Sequence, residues 1–213
     1  MLGALEGQHF RRTGKLVSLS AQNIVDCTDS YGNVGCKGGS GMLSLQYIID
    51  NGGVATEESY PYEGIEGQCR FDKNNMKIGA SCNATSFLTS YDEDVLKNAV
   101  ATIGPISVGI VARNSFQHYH SGIYYEADCF KSKINHLVLV VGYGTDNDTN
   151  QDYWIVKNSF GSNWGNAGYI KMARNRENNC EIASEARYPY VDVGSVLSSK
   201  SFYDYFAKQT TIH

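Results

Sequence analysis

Tyr153-Trp154-Ile155-Val156-Lys157-Asn158-Ser159-Phe160-Gly161-Ser162-Asn163-Trp164-Gly165 is the stretch on which the fold turns. Its first five residues are aromatic or β-branched apart from the lysine, a composition that suits a strand. Upstream, Asn135-His136-Leu137-Val138-Leu139-Val140-Val141-Gly142-Tyr143-Gly144 puts a histidine at the head of an apolar run. The run predicts a second strand over 136–142, and similar patterns predict strands over 106–112 and 168–173. A histidine inside an apolar run is, taken alone, more often a packed structural residue than a functional one.

Further out, the pattern changes. Residues 4–12 have helical character, with Leu5 and Phe10 as apolar anchors and Gly14 as the stop. A short helix follows, capped near Ser18 or Ser20. Gly35-Cys36-Lys37-Gly38-Gly39 forms a tight loop, and residues 42–51 form a buried helix closed by Gly52-Gly53. Residues 92–103 read as one amphipathic helix, ended by Pro105. The sequence therefore predicts a mainly helical first lobe over about residues 1–84 and a mainly β second lobe over about 85–191. Residues 192–213 read as a tail, a short amphipathic helix or unstructured chain with no function legible in it.

The chain has 213 residues, 42% hydrophobic and 19% charged, which is globular composition. A net charge of -4 with scattered Lys and Arg excludes a nucleic-acid partner. No apolar run is long enough to span a bilayer, and no signal peptide opens the sequence. The six cysteines have no CxxC pair for zinc, so disulfides are expected and neither metal nor cofactor is. Asn83-Ala84-Thr85 and Asn147-Asp148-Thr149 make Asn83 and Asn147 candidate glycosylation sites.

Several longer blocks carry a resemblance. They are Gly3-Ala4-Leu5-Glu6-Gly7-Gln8, Leu19-Ser20-Ala21-Gln22-Asn23-Ile24-Val25-Asp26-Cys27, Gly35-Cys36-Lys37-Gly38-Gly39 and Glu58-Ser59-Tyr60-Pro61-Tyr62. Val100-Ala101-Thr102-Ile103-Gly104-Pro105-Ile106-Ser107-Val108 follows, then the His and Asn segments. In this order they make residues 3–191 resemble the papain family of cysteine proteases, and its cathepsin L branch most closely. The resemblance implies an α+β two-lobe fold with a helical left lobe and a β-barrel-like right lobe. It implies His136 as general base and acid and Asn158 as the amide that orients the imidazole. Phe160 stands where the family usually has a shielding Trp, and a weaker shield is expected. Trp164 matches the aromatic residue near the leaving-group side.

The substrate cleft implied by the resemblance contains Gly38, Gly39, Ser40, Gly41, Asn135, Leu137, Trp164 and Glu185. Gly38-Gly39 would lie along the substrate backbone, which only glycine lets come so close. Glu185 matches the floor of the pocket for the side chain two residues before the cut, where charge pairing would tolerate arginine. Leu137 replaces a usual Gly and is expected to crowd that pocket. Ser40 and Gly41 replace larger apolar residues on its wall, and Asn135 replaces a common Asp. By resemblance Cys27 pairs with Cys69 and Cys129 with Cys180. Cys36 and Cys82 are left over, and a bridge between them stays open.

The family's nucleophile motif, C-G-[SA]-C-[WY], does not occur in the sequence. Alignment of Gly3-Ala4-Leu5-Glu6-Gly7 sets the nucleophile about five residues before Met1, and His136 about 140 residues beyond it. The oxyanion Gln would lie further upstream still. The expectation is a cathepsin L-like cysteine endopeptidase whose first segment is cut away, inactive as given, with an apolar groove left open. Expected partners are peptide or protein substrates and cystatin-type inhibitors, with the chain a monomer, lysosomal or secreted. The alternative is a pseudo-protease that binds peptides or inhibitors without cleaving them.

Overall fold

The computed structural model describes residues 1–129 and 132–191. The expectations for the tail, residues 192–213, lie outside these residues. The first lobe is built on three helices. α1 (Leu2–Thr13) stops at Gly14, whose left-handed backbone (φ 71°) lets its N–H reach the Phe10 carbonyl at 2.7 Å. Leu5 of α1 is fully buried, but Phe10, expected to be an anchor, is half exposed. α2 (Ala21–Cys27) is capped by Ser20, whose hydroxyl accepts from the Asn23 N–H at 2.9 Å. α3 (Gly41–Asp50) is capped by Ser40, which accepts from Met42. A small antiparallel pair, β1 (Val54–Ala55) and β2 (Ile78–Ala80), completes the lobe. Leu5, Leu19, Leu45, Ile48, Val54 and Tyr60 form its core, and the Cys27–Cys69 disulfide closes its edge.

The second lobe is a seven-stranded sheet. Its strands are β3 (Ala84–Phe87), β4 (Ile106–Ile110), β5 (Ile123–Tyr124), β6 (His136–Thr145), β7 (Asp152–Lys157), β8 (Tyr169–Ala173) and β9 (Ala186–Tyr190). The order across the sheet is β3-β9-β4-β6-β7-β8-β5, and only β5–β8 is parallel. α4 (Glu93–Thr102) packs beside β4 and β6, and the single turn α5 (Asn114–Gln117) follows β4. All five residues of β4 are buried, as expected for a central strand covered on both faces. β6 runs three residues past the expected end at Gly142. A bulge makes this possible: Val140 pairs with Val156 and Gly142 with Ile155, so Val141 is the extra residue. Trp154 is fully buried and donates its indole N–H to Glu93 at 3.1 Å. The Cys129–Cys180 disulfide ties down the loops beyond the sheet.

Helix α1 joins the lobes. Its Gln8 amide donates to the Ile103 carbonyl at 2.8 Å, and Arg11 donates to the same oxygen. A Cβ on Gly7 would come within 3.0 Å of the Pro105 ring, so glycine there sets how closely the helix approaches the second lobe. Val191, which follows the last strand of the sheet, is buried in the first lobe's core. No helix among the described residues is long and apolar enough to cross a membrane.

Candidate active site

His136 is the first residue of β6, and Asn158 directly follows the last residue of β7. These strands are antiparallel neighbours, so the head of one and the end of the other meet at one edge. The imidazole Nε2 and the Asn158 Oδ1 are 2.8 Å apart. The same Oδ1 accepts the Ser159 backbone N–H at 2.8 Å. A backbone N–H can only donate, so the atom facing it is the amide oxygen and not the nitrogen. An oxygen acceptor makes the histidine Nε2 the donor. In the neutral ring Nδ1 therefore carries the lone pair and is the basic atom.

Aromatic rings pack against the imidazole. Phe160 lies 5.1 Å from the imidazole, tilted by 37°, and the buried Phe116 lies 5.8 Å away on edge. Trp164 packs on Phe116 at 5.1 Å and donates its N–H to the Gln117 carbonyl. Phe160 itself is 47% exposed, so the cover on the imidazole is partial. Asn158 is buried, and its Nδ2 has no partner among the described residues.

A cavity of about 880 Å³ lies between the lobes, with Gly38, Gly39, Ser40 and Gly41 on one side and Asn135, His136, Leu137 and Glu185 on the other. Of the expected cleft residues, only Trp164 does not line it. The individual side chains refine the expectations. Asn135 turns its amide to Ala112, accepting from that residue's N–H at 2.7 Å and donating to its carbonyl at 3.0 Å. This pair fixes the bend beside the end of β4. Gly39 is required by Asn33, whose Oδ1 would sit 2.4 Å from an added Cβ. Gly38 has open space around it and φ of 123°. A Cβ on Gly41 would lie 3.3 Å from the Leu137 Cδ1. The small residue on one wall thus makes room for the large one on the other. Met1, Leu2, Ile24, Val25, Leu137 and Ile48 line an adjoining, mostly apolar groove of about 490 Å³.

Glu185 does not stand alone. Its carboxylate accepts from the Arg187 guanidinium at 2.8 Å, and both residues line the cavity. Arg187 was not anticipated from the sequence. The available signal was its spacing, because residues two apart in extended chain share a face.

Both disulfides join the expected partners, and the remaining two cysteines do not bridge. Cys36 is exposed, while Cys82 is buried in the first lobe's core, where desolvation pushes its thiol pKa up to about 12. Neither lines the cavity with His136. Asn83 and Asn147 are both exposed, the latter in the loop between β6 and β7. His9 is half-buried, and His118 and His120 are exposed, away from the cavity.

The "Papain family cysteine protease" model matches residues 1–190. The chain is 54% identical to the "Cathepsin L-like peptidase" of Aedes aegypti over 190 residues, which is 89% of this chain and 55% of that protein. It is 56% identical to "Digestive cysteine proteinase 3" of Homarus americanus, covering 89% and 58%. The chain thus spans little more than half the length of these relatives. Among solved structures it resembles digestive procathepsin L 3 of Tenebrio molitor larval midgut. The TM-score is 0.83 and the identity 46%, covering 88% of this chain and 60% of that one. It also resembles the bromelain protease of Ananas comosus in complex with the E64 inhibitor, with TM-score 0.80 and identity 35%, covering 89% and 85%. With the two-lobe fold and the paired His136 and Asn158, these matches mean that the chain belongs to the papain family of cysteine proteases, among its cathepsin L-like members.

Proposed function

We propose that the cleft is the acid–base and substrate-binding part of a cysteine endopeptidase site. The observation that carries this reading is the Nε2–H bond to Asn158, which leaves Nδ1 of His136 as the basic atom beside the cavity. In the family's chemistry a thiol gives its proton to the imidazole, and the thiolate attacks the scissile carbonyl. The imidazolium then protonates the leaving amine. Asn158 is a positioning residue that holds the ring in one tautomer and one plane, and Phe160 and Phe116 partly cover the imidazole. Gly38 and Gly39 lie along the peptide backbone, and Ser40, Gly41, Leu137 and Glu185 shape a side-chain pocket. Substrates are peptides or proteins, and cystatin-type inhibitors enter the same cleft. The protein is a monomer of a lysosomal, digestive or secreted setting, which its two disulfides favour. Asn83 and Asn147 are its glycosylation sites.

Residues 1–213 alone do not hydrolyse peptide bonds in this reading. Four of the six cysteines are oxidised, Cys82 is buried and protonated, and Cys36 lies outside the cavity. Loss of one member of such a catalytic set costs several orders of magnitude in rate. The same facts favour a second reading, in which the cleft binds peptides or inhibitors without cleaving them. Treatment of the pure chain with a thiol-reactive peptide epoxide, read by intact mass, tests the point. No adduct is expected. A single stoichiometric adduct that disappears in His136→Ala would mean that a remaining cysteine is activated, and the inactivity claim would fail.

A further inference from the structure

The cavity that holds His136 carries an internal counter-ion. The Arg187 side chain is 9% exposed and sits over the Phe87 ring at 5.2 Å, whereas that of its partner Glu185 is 52% exposed. Arg187 is paired in register with Ser107 of β4, and its Nε has no hydrogen-bond partner among the described residues. The guanidinium is thus a fixed, permanently charged group largely withdrawn from water. Glu185 is the exposed member of the pair and supplies its 2.8 Å contact. Release of that carboxylate would leave a buried cation with its charge uncompensated, which is a costly state.

Strand order sets the distance to the imidazole. Arg187 is on β9 and His136 on β6, with β4 between them. In register His136 pairs with Ile110, while the Glu185 carbonyl accepts from the adjacent Gly109 N–H at 3.2 Å. Arg187 pairs with Ser107, three residues along β4 from Ile110. Glu185 is thus about 10 Å from His136, the span of about three residues of extended peptide, and Arg187 lies deeper, at about 14 Å. The pair therefore faces a side chain two or three residues from the reacting position. The other charged side chains lining the cavity are Lys133 and Glu181, so basic and acidic groups balance there.

We propose that Arg187 is a specificity-determining residue that claims the Glu185 carboxylate and makes this pocket select apolar over basic side chains. The proposal rests on the peptide-cleft reading. A basic side chain entering the pocket must compete with an arginine already in place, and can win the carboxylate only by stranding that arginine. An apolar side chain leaves the pair intact and buries against Leu137 and Ile134, which line the same cavity.

The test is fluorescence polarisation with the 213-residue chain and two labelled peptides that differ only in Leu or Arg at the pocket position. The chain is expected to bind the Leu peptide at least about tenfold more tightly, and Arg187→Gln to close most of that gap by freeing Glu185. In Glu185→Gln, whose amide oxygen can still accept from Arg187 and whose folding is verified by circular dichroism, Arg-peptide affinity is expected to change less than about twofold. Equal binding of both peptides, an unchanged gap in folded Arg187→Gln, or a tenfold loss of Arg-peptide binding in Glu185→Gln would each overturn the proposal. Binding of neither peptide would overturn the cleft reading itself, and this proposal with it.

Discussion

Asn158 Oδ1 accepts two hydrogen bonds, and its loss should be read on the histidine. A net hydrogen bond of about 1 kcal/mol corresponds to a tautomer preference of about fivefold. In the ¹⁵N spectrum of the neutral ring, His136 is expected to be mainly Nε2–H, and Asn158→Ala is expected to move it toward a mixture. An unchanged spectrum would mean that the amide does not set the tautomer. Cys82 makes a different prediction. Burial raises its pKa from 9.0 to about 12, so folding favours the protonated thiol. That stabilisation is fully present below pH 9 and is lost as pH rises through about 12. Native protein at pH 8 should therefore titrate one thiol with a disulfide reagent, Cys36, and unfolded, unreduced protein two. The identities of His136, Asn158 and the cleft residues were legible because each stands inside a block of characteristic neighbours. The direction of a side chain was not. Asn135 turns to Ala112, and Glu185 to Arg187, for reasons of local hydrogen bonding that a linear pattern does not carry.

Helix α4, whose extent over 92–103 was readable from its amphipathic pattern, shows how an element is fastened. Asp92 accepts from the Val95 N–H at 2.9 Å, and Asp92→Ala is expected to cost about 1 kcal/mol. The next residue does more, and nothing local announces it. Glu93 accepts from the Trp154 indole and from the Asn175 and Asn178 backbone N–H groups, more than 60 residues away in the chain. Glu93→Ala would leave the donor of a fully buried tryptophan unpaired. Urea unfolding should give a loss of about 3 kcal/mol, larger than for Asp92→Ala, because an unmet buried donor costs more than a missing cap. Similar losses in the two variants would refute the ranking. Strand cores were likewise readable from composition, while β6 was read short. Its apolar alternation slips at Val141, where the bulge shifts the facing of later residues. The joining of β3 to β9 escaped a local reading altogether, because the partners lie about a hundred residues apart.

At the scale of the molecule, two cores share one helix and one closing segment. Gly7 allows α1 to lie against Pro105. Gly7→Leu gains about 1 kcal/mol of helix propensity but forces a side chain into a contact already tight at a Cβ. The second effect should win, with a net loss of about 1–2 kcal/mol. Unfolding followed by tryptophan fluorescence, which reports only the second lobe, should then separate from unfolding followed by helical circular dichroism. Coincident transitions at the parent midpoint would show that α1 does not couple the lobes. The seat of Val191 has a consequence in time. A ribosome makes the helices of the first lobe early, but their core contains a residue made only after every strand of the second lobe. The sheet waits too, since β3 has no partner until β9 emerges. Neither lobe can therefore finish folding as a nascent unit, and the exposed apolar faces of both must be sheltered until residues 186–191 clear the exit tunnel. A chain arrested before that stretch should be protease-sensitive along its whole length, and one arrested well beyond it protected in both lobes together.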